Sequence, residues 1–392
     1  MNGKYLEEST PKLGFGFMRL PHAGAGDDAP FDYKQINKMV DYFLDAGYTY
    51  FDTAFVYGGS EEAMRETLVR RHPRDRFTIA SKLNFNAAIS DGKPPAPGSP
   101  PPEIPDAAEC RRRLVSQFET TLARLGTDYL DFYLLHGLGG PGIELAEKMG
   151  GWEYAKELKA QDKIRHLGFS FHGTPEELEG ILAAHPETEF VQLQINYLDW
   201  EDPEYRAKEQ YDICRRYNKP IVVMEPVRGG QLAAENSAFA KFFKELEPDS
   251  SVASWALRFV AEKPGLLTIL SGMSAYDQVV DNVRTFEGLK PMTDEGRAAI
   301  KKSQETIAAI PRVPCTACRY CKDCPAGIPI PAMFDLYNDY LAYNVFNSHM
   351  YGFFSRGGKP SDCIGCKNCE NECPQRIEIA ALMGKIAAIA PK

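Results

Sequence analysis

Before residue 290 the chain alternates short apolar runs with stretches whose apolar residues recur at helical spacing. The runs lie near 13–18, 48–52, 77–82, 129–136, 164–170, 190–194, 221–225 and 266–271. The segments between them carry helix punctuation. After Asp32, the residues Ile36, Met39, Val40, Phe43 and Leu44 mark one helical face, and Gly47 closes it. Thr174-Pro175-Glu176-Glu177 reads as a capping box with proline at the first helical position. Eight strand–helix units within roughly 250–280 residues predict the α/β class, as a (β/α)8 TIM barrel. A doubly wound sheet is the alternative, but no G-x-G-x-x-G follows the first run; Gly14-Phe15-Gly16 is a fragment only.

Two segments break this rhythm. Residues 84–106 are rich in proline and glycine and directly follow a strand run. Over a barrel's active face such a stretch would be a semi-rigid lid or partner surface, or else a floppy insertion. Residues 293–310 form a charged amphipathic helix that leads into Pro311, Pro314 and a cysteine-rich tail. The expected organisation is a barrel over 1–292, a linker helix over 293–310, and a small, mainly α-helical, ferredoxin-like module over 311–392.

Eight of the ten cysteines fall in that module, in two runs each ending in proline. The second, Cys363-x2-Cys366-x2-Cys369-x3-Cys373-Pro374, has the bacterial ferredoxin spacing, in which the fourth cysteine ligates the other cluster. The first, Cys315-x2-Cys318-x2-Cys321-x2-Cys324-Pro325, is one residue shorter in its last gap. A structural zinc needs four ligands, usually in two separated pairs, and disulfide frameworks belong to secreted chains. Residues 1–10 lack the apolar core of a signal peptide. The spacing therefore favours two [4Fe–4S] clusters, with zinc as the alternative. By the crossover rule Cys315, Cys318, Cys321 and Cys373 hold one, and Cys363, Cys366, Cys369 and Cys324 the other. Cys110 and Cys214, in predicted helices, read as buried fillers.

Composition narrows the partners. No apolar stretch is long enough to span a bilayer, and a formal net charge of −9 argues against nucleic acid. Residues 311–392 carry nine Lys/Arg against seven Asp/Glu, leaving about −11 on the rest. A mildly basic module would suit an acidic ferredoxin- or flavodoxin-like electron carrier, a solvated face being the plain alternative. Thiolate ligands imply a reducing cytoplasm.

Several strand runs end in an ionisable group: Asp52, Lys82 and His136, with Tyr57 in the loop after Asp52. In a barrel these ends converge on the functional face. A nearby ammonium would lower the pKa of the Tyr57 phenol, with Asp52 pairing Lys82. Neutral His136 would hydrogen-bond a substrate oxygen and orient its carbon toward a hydride donor. The set holds no strong nucleophile, so carbonyl reduction fits better than covalent hydrolysis.

Gly47-Tyr-Thr-Tyr-Phe-Asp-Thr-Ala-Phe-Val-Tyr-Gly58, followed by Ser60-Glu61, resembles the active-site signature of the aldo/keto reductases. Ser81-Lys82, Leu134-Leu135-His136 and Lys163-Ile-Arg-His-Leu-Gly-Phe-Ser170 are similar to its later motifs, and the likeness runs from about Leu13 to Leu289. The cysteine tail resembles the branch with a 4Fe–4S dicluster domain. The resemblance implies a barrel with Asp52, Tyr57, Lys82 and His136 as catalytic residues. It also implies NADP or NAD as cofactor, Ser170 and Gln194 holding the carboxamide, and Asn282 the adenine. Departures accompany it. Met224 stands where an aromatic residue commonly stacks on nicotinamide, and Phe171 replaces an asparagine. The phosphate loop Ser271-Gly272-Met273-Ser274 lacks basic residues, and Gln278 stands where arginine often grips a 2′-phosphate. Arg228 would contact pyrophosphate or face solvent. Met18 and Arg19 would line the pocket, with core packing the alternative for Met18; Trp152, Tyr197 and Trp200 would stack on a ligand or pack against loops.

The leading expectation is a cytoplasmic oxidoreductase that reduces a small-molecule carbonyl, an aldehyde or ketone, by hydride transfer from NAD(P)H, with Tyr57 as general acid. One alternative makes the clusters a one-electron relay from a ferredoxin-like partner to the barrel. Another is a non-enzymatic sensor of nucleotide and redox state.

Overall fold

A computed structural model describes residues 12–24, 29–90 and 103–391. Residues 91–102, the heart of the proline-rich insertion and of the lid reading, lie outside that set. Eight parallel strands close into a barrel in chain order. They are β1 (Leu13–Gly16), β2 (Tyr50–Asp52), β3 (Thr78–Leu83), β4 (Leu130–Leu138), β5 (Ile164–Phe171), β6 (Phe190–Gln194), β7 (Ile221–Met224) and β8 (Leu266–Gly272). This is the (β/α)8 architecture that the periodicity predicts.

Strand parity divides the apolar residues into two populations. Tyr50, Ala80, Phe132, Leu134, Phe190, Val222 and Leu270 form a cluster of their own inside the barrel. Their odd-parity neighbours Phe51, Ile79, Tyr133, Phe169, Val191, Val223 and Ile269 join the larger core under the helices. The interior is filled so closely that a Cβ on Gly168 would meet the Phe190 ring at 2.6 Å. Continuing the inward parity toward the C-terminal ends brings up Asp52, Lys82, His136, Ser170, Gln194 and Met224.

The helices start where the punctuation places them. Asp32 caps Tyr33–Asp45 by accepting from Gln35 N at 3.0 Å. Thr174 and Glu177 form both halves of the capping box. At the N-terminal end of the barrel, the buried Asp131 carboxylate accepts from Arg74 at 2.6 Å, Arg165 at 2.9 Å and Ile79 N at 2.9 Å. This end is polar mortar, remote in the fold from the strand ends that carry chemistry.

The chain divides into two compact units: Met1–Gly229 with Ala253–Met292, and Gly230–Val252 with Thr293–Lys392. In the second, helix Asp294–Ala308 packs against helix Ala240–Leu246, a segment between β7 and β8 that the strand rhythm had assigned to the barrel. This unit's own core gathers Val313, Ile328, Ile330, Phe334, Ile377 and Ile379, with the cysteines packed around it. It repeats internally. Each cysteine run ends in Cys-Pro-x-x-Ile-x-Ile, the last isoleucine opening helix Ile330–Tyr343 in one copy and Ile379–Ile389 in the other.

Candidate active site and cysteine centres

Lys82 is fully buried, and its ammonium donates to Asp52 Oδ1 at 2.7 Å and to the Thr53 carbonyl at 2.7 Å. It lies 4.9 Å from the centre of the Tyr57 ring. The Tyr57 ring stands edge-on to His136 with centroids 6.0 Å apart. Asp52, Lys82, Tyr57 and His136, from the ends of three successive strands and one loop, are therefore brought together at the C-terminal end of the barrel.

Their protonation follows from burial opposed by charge. Burial alone would push the Lys82 ammonium down, but Asp52 and the Tyr57 hydroxyl outweigh it and hold its pKa above the ordinary value. Burial raises the Asp52 carboxyl, with Lys82 opposing. Tyr57 departs from the sequence-based expectation of an acidified phenol. Burial raises its pKa, the Lys82 charge lowers it, and burial wins. The phenol is thus held as a proton donor at neutral pH. Burial, then the Lys82 charge, then His172 hold His136 well below the usual imidazole value, so it is neutral.

The neutral tautomer can be assigned. Asn84 caps helix Phe85–Ile89 with its amide oxygen, accepting from Ala87 N at 2.8 Å, which fixes the orientation of the amide. Its Nδ2 then donates to His136 Nδ1 at 3.4 Å. With Nδ1 accepting, the proton sits on Nε2. Sequence reasoning passed over Asn84; its signal was an N-cap residue immediately after a strand carrying a catalytic candidate.

Of the expected nucleotide-binding residues, Ser170, Gln194, Met224, Ser271 and Gly272 lie at the ends of β5–β8, Arg228 follows β7, and Gln278 and Asn282 lie on helix Tyr276–Glu287. Ser170 Oγ accepts from Gly137 N at 2.8 Å. Gln194 Nε2 donates to Asp199 at 2.7 Å, and the half-buried Arg228 pairs with the same carboxylate at 3.3 Å. Asn282 donates to Ser271 Oγ at 2.8 Å. Gln278 accepts from Ser274 N at 2.8 Å, fastening the loop in which Gly272 is exposed. Met224 ends β7 partly exposed. Hydroxyl, amide and backbone groups at this rim fit a nucleotide, while a 2′-phosphate finds no cation on 271–278. Met18 is 47% exposed and thus not core. Arg19 donates to the Gly229 carbonyl at 2.8 Å. Trp152 is buried and stacks on His185 at 3.9 Å, Tyr197 is buried, and Trp200 stands edge-on to Tyr211 at 5.3 Å. These aromatics pack against their neighbours.

The eight tail cysteines surround two cavities. Cys315, Cys318, Cys321 and Cys373 line one, with Phe334 and Ile377 behind them. Cys324, Cys363, Cys366 and Cys369 line the other, which Cys321 also touches. Among the described residues, no three His, Cys, Asp or Glu side chains are grouped to hold one metal ion. The thiols ring cavities instead, as ligands of a polynuclear cluster do. The backbone supports an anionic group. Ala317 and Arg319, at φ 51° and 64°, flank Cys318, and Gly365 and Lys367, at φ 67° and 61°, flank Cys366. Left-handed residues alternating with ordinary ones turn successive N–H groups into one concavity, the nest found at many iron–sulfur sites. Holding three non-glycine residues there is strained backbone, which points to a ligand. Cys214 is different: burial pushes its thiol up to about 12, leaving it inert.

A closed parallel barrel with a tyrosine, a buried lysine–aspartate pair and a neutral histidine at its C-terminal mouth belongs to the class of (β/α)8 enzymes with an acid–base site. The comparisons with known proteins name the family. Residues 12–305, well over half of the chain, match the aldo/keto reductase family, and residues 314–378 match the 4Fe-4S dicluster domain. The chain belongs to the aldo/keto reductase family and is an oxidoreductase with a C-terminal 4Fe-4S domain. A probable aldo-keto reductase 1 of Glycine max is 30% identical over 57% of this chain and 59% of its own length. An aldo-keto reductase of Strobilurus tenacellus is 25% identical over 78% of this chain and 90% of that protein. Among solved structures, the holo form of an aldo-keto reductase from Bacillus halodurans superposes with TM-score 0.55 at 26% identity, covering 74% of this chain and 91% of that one. A Klebsiella pneumoniae aldo/keto reductase in complex with NADP and acetate gives TM-score 0.55 at 22% identity, covering 75% and 91%, a likeness of fold. No helix among the described residues is long and apolar enough to cross a membrane.

Proposed function

We propose that the barrel reduces a small aldehyde or ketone with NADH or NADPH, Tyr57 acting as the general acid. The observation that carries this reading is Lys82, a fully buried ammonium set 2.7 Å from Asp52 and against the Tyr57 ring. A bound nicotinamide supplies the hydride. The substrate's carbonyl oxygen lies between the Tyr57 hydroxyl and His136 Nε2–H, which together polarise it. As negative charge grows on that oxygen, Tyr57 passes its proton across, and Lys82 stabilises the phenolate left behind. Asp52 keeps Lys82 charged throughout. Ser170, with its own hydroxyl hydrogen to give, and Gln194, with its amide oxygen to accept, hold the carboxamide. Ser271, Gly272 and Asn282 bind the adenosine end, with Gln278 fixing the loop. Met224 would contact the nicotinamide, and Arg228 pairs with Asp199, the carboxylate to which Gln194 donates.

In the second unit, Cys315, Cys318, Cys321 and Cys373 bind one [4Fe–4S] cluster, and Cys324, Cys363, Cys366 and Cys369 another. Hydride transfer moves both electrons together, so these clusters stand outside the chemical step. The test is Tyr57→Phe in anaerobic holoprotein. We expect kcat to fall about 10²–10⁴-fold with nucleotide affinity retained. Undiminished turnover in the folded variant removes the assignment. Iron analysis checks the clusters: about eight irons per chain supports two, and about four overturns the count.

A further inference from the structure

The longest strands of the barrel are β4 and β5, at nine and eight residues. Their ladder continues past an irregularity between Leu135 and Leu138 to pair Leu138 with Phe171. It ends with His172 N donating to the Leu138 carbonyl at 2.7 Å. The two chains then run so close that a Cβ on Gly139 would meet Gly173 N at 2.6 Å. This pair of strands therefore runs past the end of β3, whose last rung pairs Leu83 with Leu135.

Parity fixes what the extra length presents. Gly168 faces the barrel interior against Phe190, while Phe169 and Phe171, both fully buried, face the helices. Ser170 is the next inward residue and His172 the one after it. Two residues of strand add roughly 6.6 Å, and the neighbouring strand lies about 4.8 Å away. His172 thus stands one inward rung beyond Ser170, the residue level with His136, and on the side opposite Tyr57 in the strand order β2–β3–β4–β5. Unlike Ser170 it is exposed, hence open to a ligand. Its proximity registers electrostatically, since a charge on it acts on His136, and Lys82 acts on it in turn.

We propose that His172 is a substrate-contacting, specificity-determining residue, which selects carbonyl compounds bearing a hydroxyl or a second carbonyl oxygen on the adjacent carbon. The inference rests on the carbonyl-reduction reading above. With the reacting oxygen shared by Tyr57 and His136, a substrate extending toward β5 would bring an oxygen on the adjacent carbon to His172. Although the residue reaches solvent, the atoms packed around its ring partly desolvate it, and this, followed by the Lys82 charge, holds the His172 imidazole below its ordinary pKa, so it is neutral and both donates and accepts. That suits a hydroxyl or a ketone oxygen and disfavours a cationic substituent.

The test uses a matched pair, glyceraldehyde and propionaldehyde, which differ only in the hydroxyls. In His172→Phe we expect kcat/KM for glyceraldehyde to fall on the order of tenfold, mainly through KM, with propionaldehyde changed less than about twofold. His172→Gln, which keeps a donor and an acceptor, should recover much of the loss. Equal losses for both aldehydes, or no loss for glyceraldehyde, overturn the proposal. A second readout needs no turnover. In histidine-labelled holoprotein with bound NAD+, which cannot reduce an aldehyde, the imidazole signal missing from His172→Phe should shift with glyceraldehyde and not with propionaldehyde. Equal shifts, or none, overturn it too. A wild type that binds glyceraldehyde through this imidazole but reduces neither aldehyde would sink the reduction reading alone.

Discussion

Replacing Lys82 by methionine would remove one charge from a pair that water does not reach. Lys82 is 0% exposed and Asp52 3%, and the side chains of lysine and methionine are close in length, so packing is largely kept. What is lost is the charge and two hydrogen bonds of 2.7 Å, to Asp52 Oδ1 and Thr53 O. Asp52 Oδ2 is buried and already without a partner, so the whole carboxylate would be left uncompensated. Breaking a buried pair from one side costs about 3–5 kcal/mol. The cost must also depend on pH. Burial raises the Asp52 pKa even with Lys82 present, and removing the ammonium raises it further. A folded-state carboxyl with a raised pKa binds more protons than the unfolded chain, so its stability is full below the unfolded value of about 3.9 and is lost as pH rises through the folded one. The deficit of Lys82→Met should therefore widen as pH rises from about 3.9 through the raised folded-state value of Asp52. Asp52→Asn combined with Lys82→Met, which removes the stranded charge, should recover more than half of it. Urea unfolding followed by tryptophan fluorescence reads the barrel, because all three tryptophans, Trp152, Trp200 and Trp255, belong to that unit. A deficit under about 1 kcal/mol, or one that neither changes with pH nor eases in the double variant, would refute the buried-pair argument.

Other outcomes follow from the same geometry. Asp131→Asn, which weakens the buried carboxylate's hold on Arg74 and Arg165 at the opposite end of the barrel, should cost about 3 kcal/mol in urea unfolding. Its kcat should stay within about twofold of wild type, since it lies at the barrel end that carries stability; a large loss of kcat would contradict that division of labour. Gly272→Lys should raise the NADPH-to-NADH ratio of kcat/KM on the order of tenfold by supplying a charge-assisted partner. An added Cβ there meets nothing nearer than 4.0 Å, so an unchanged ratio would place the 2′-phosphate elsewhere. The pH profile of kcat/KM should show no inflection near the ordinary imidazole value of about 6.5, because burial and Lys82 hold His136 neutral well below it. A drop in activity at that pH that disappears in His136→Gln would count against a neutral imidazole.

What the sequence made legible is what local parity determines. Asp52, Lys82, His136 and Ser170 were readable because each ends an apolar run on its inward face, and a barrel turns strand ends into neighbours. The grouping of cysteines around two cavities was readable because ligand spacing is local too. Four features were not. Helix Ala240–Leu246 has the same amphipathic pattern as a barrel helix, and nothing within it says that its face packs on Asp294–Ala308. Arg228 meets Asp199 across 29 residues of chain, and Asn84 meets His136 across 52. His172 needed the extra rungs of β4 and β5, which apolar runs ending at 136 and 170 do not announce. The sign at Tyr57 shows the limit most plainly. Burial and the Lys82 charge act in opposite directions on that phenol, and the motif reveals only the charge. A pKa is a sum over everything packed around the group, so a sequence that names the participants still leaves open which of them prevails.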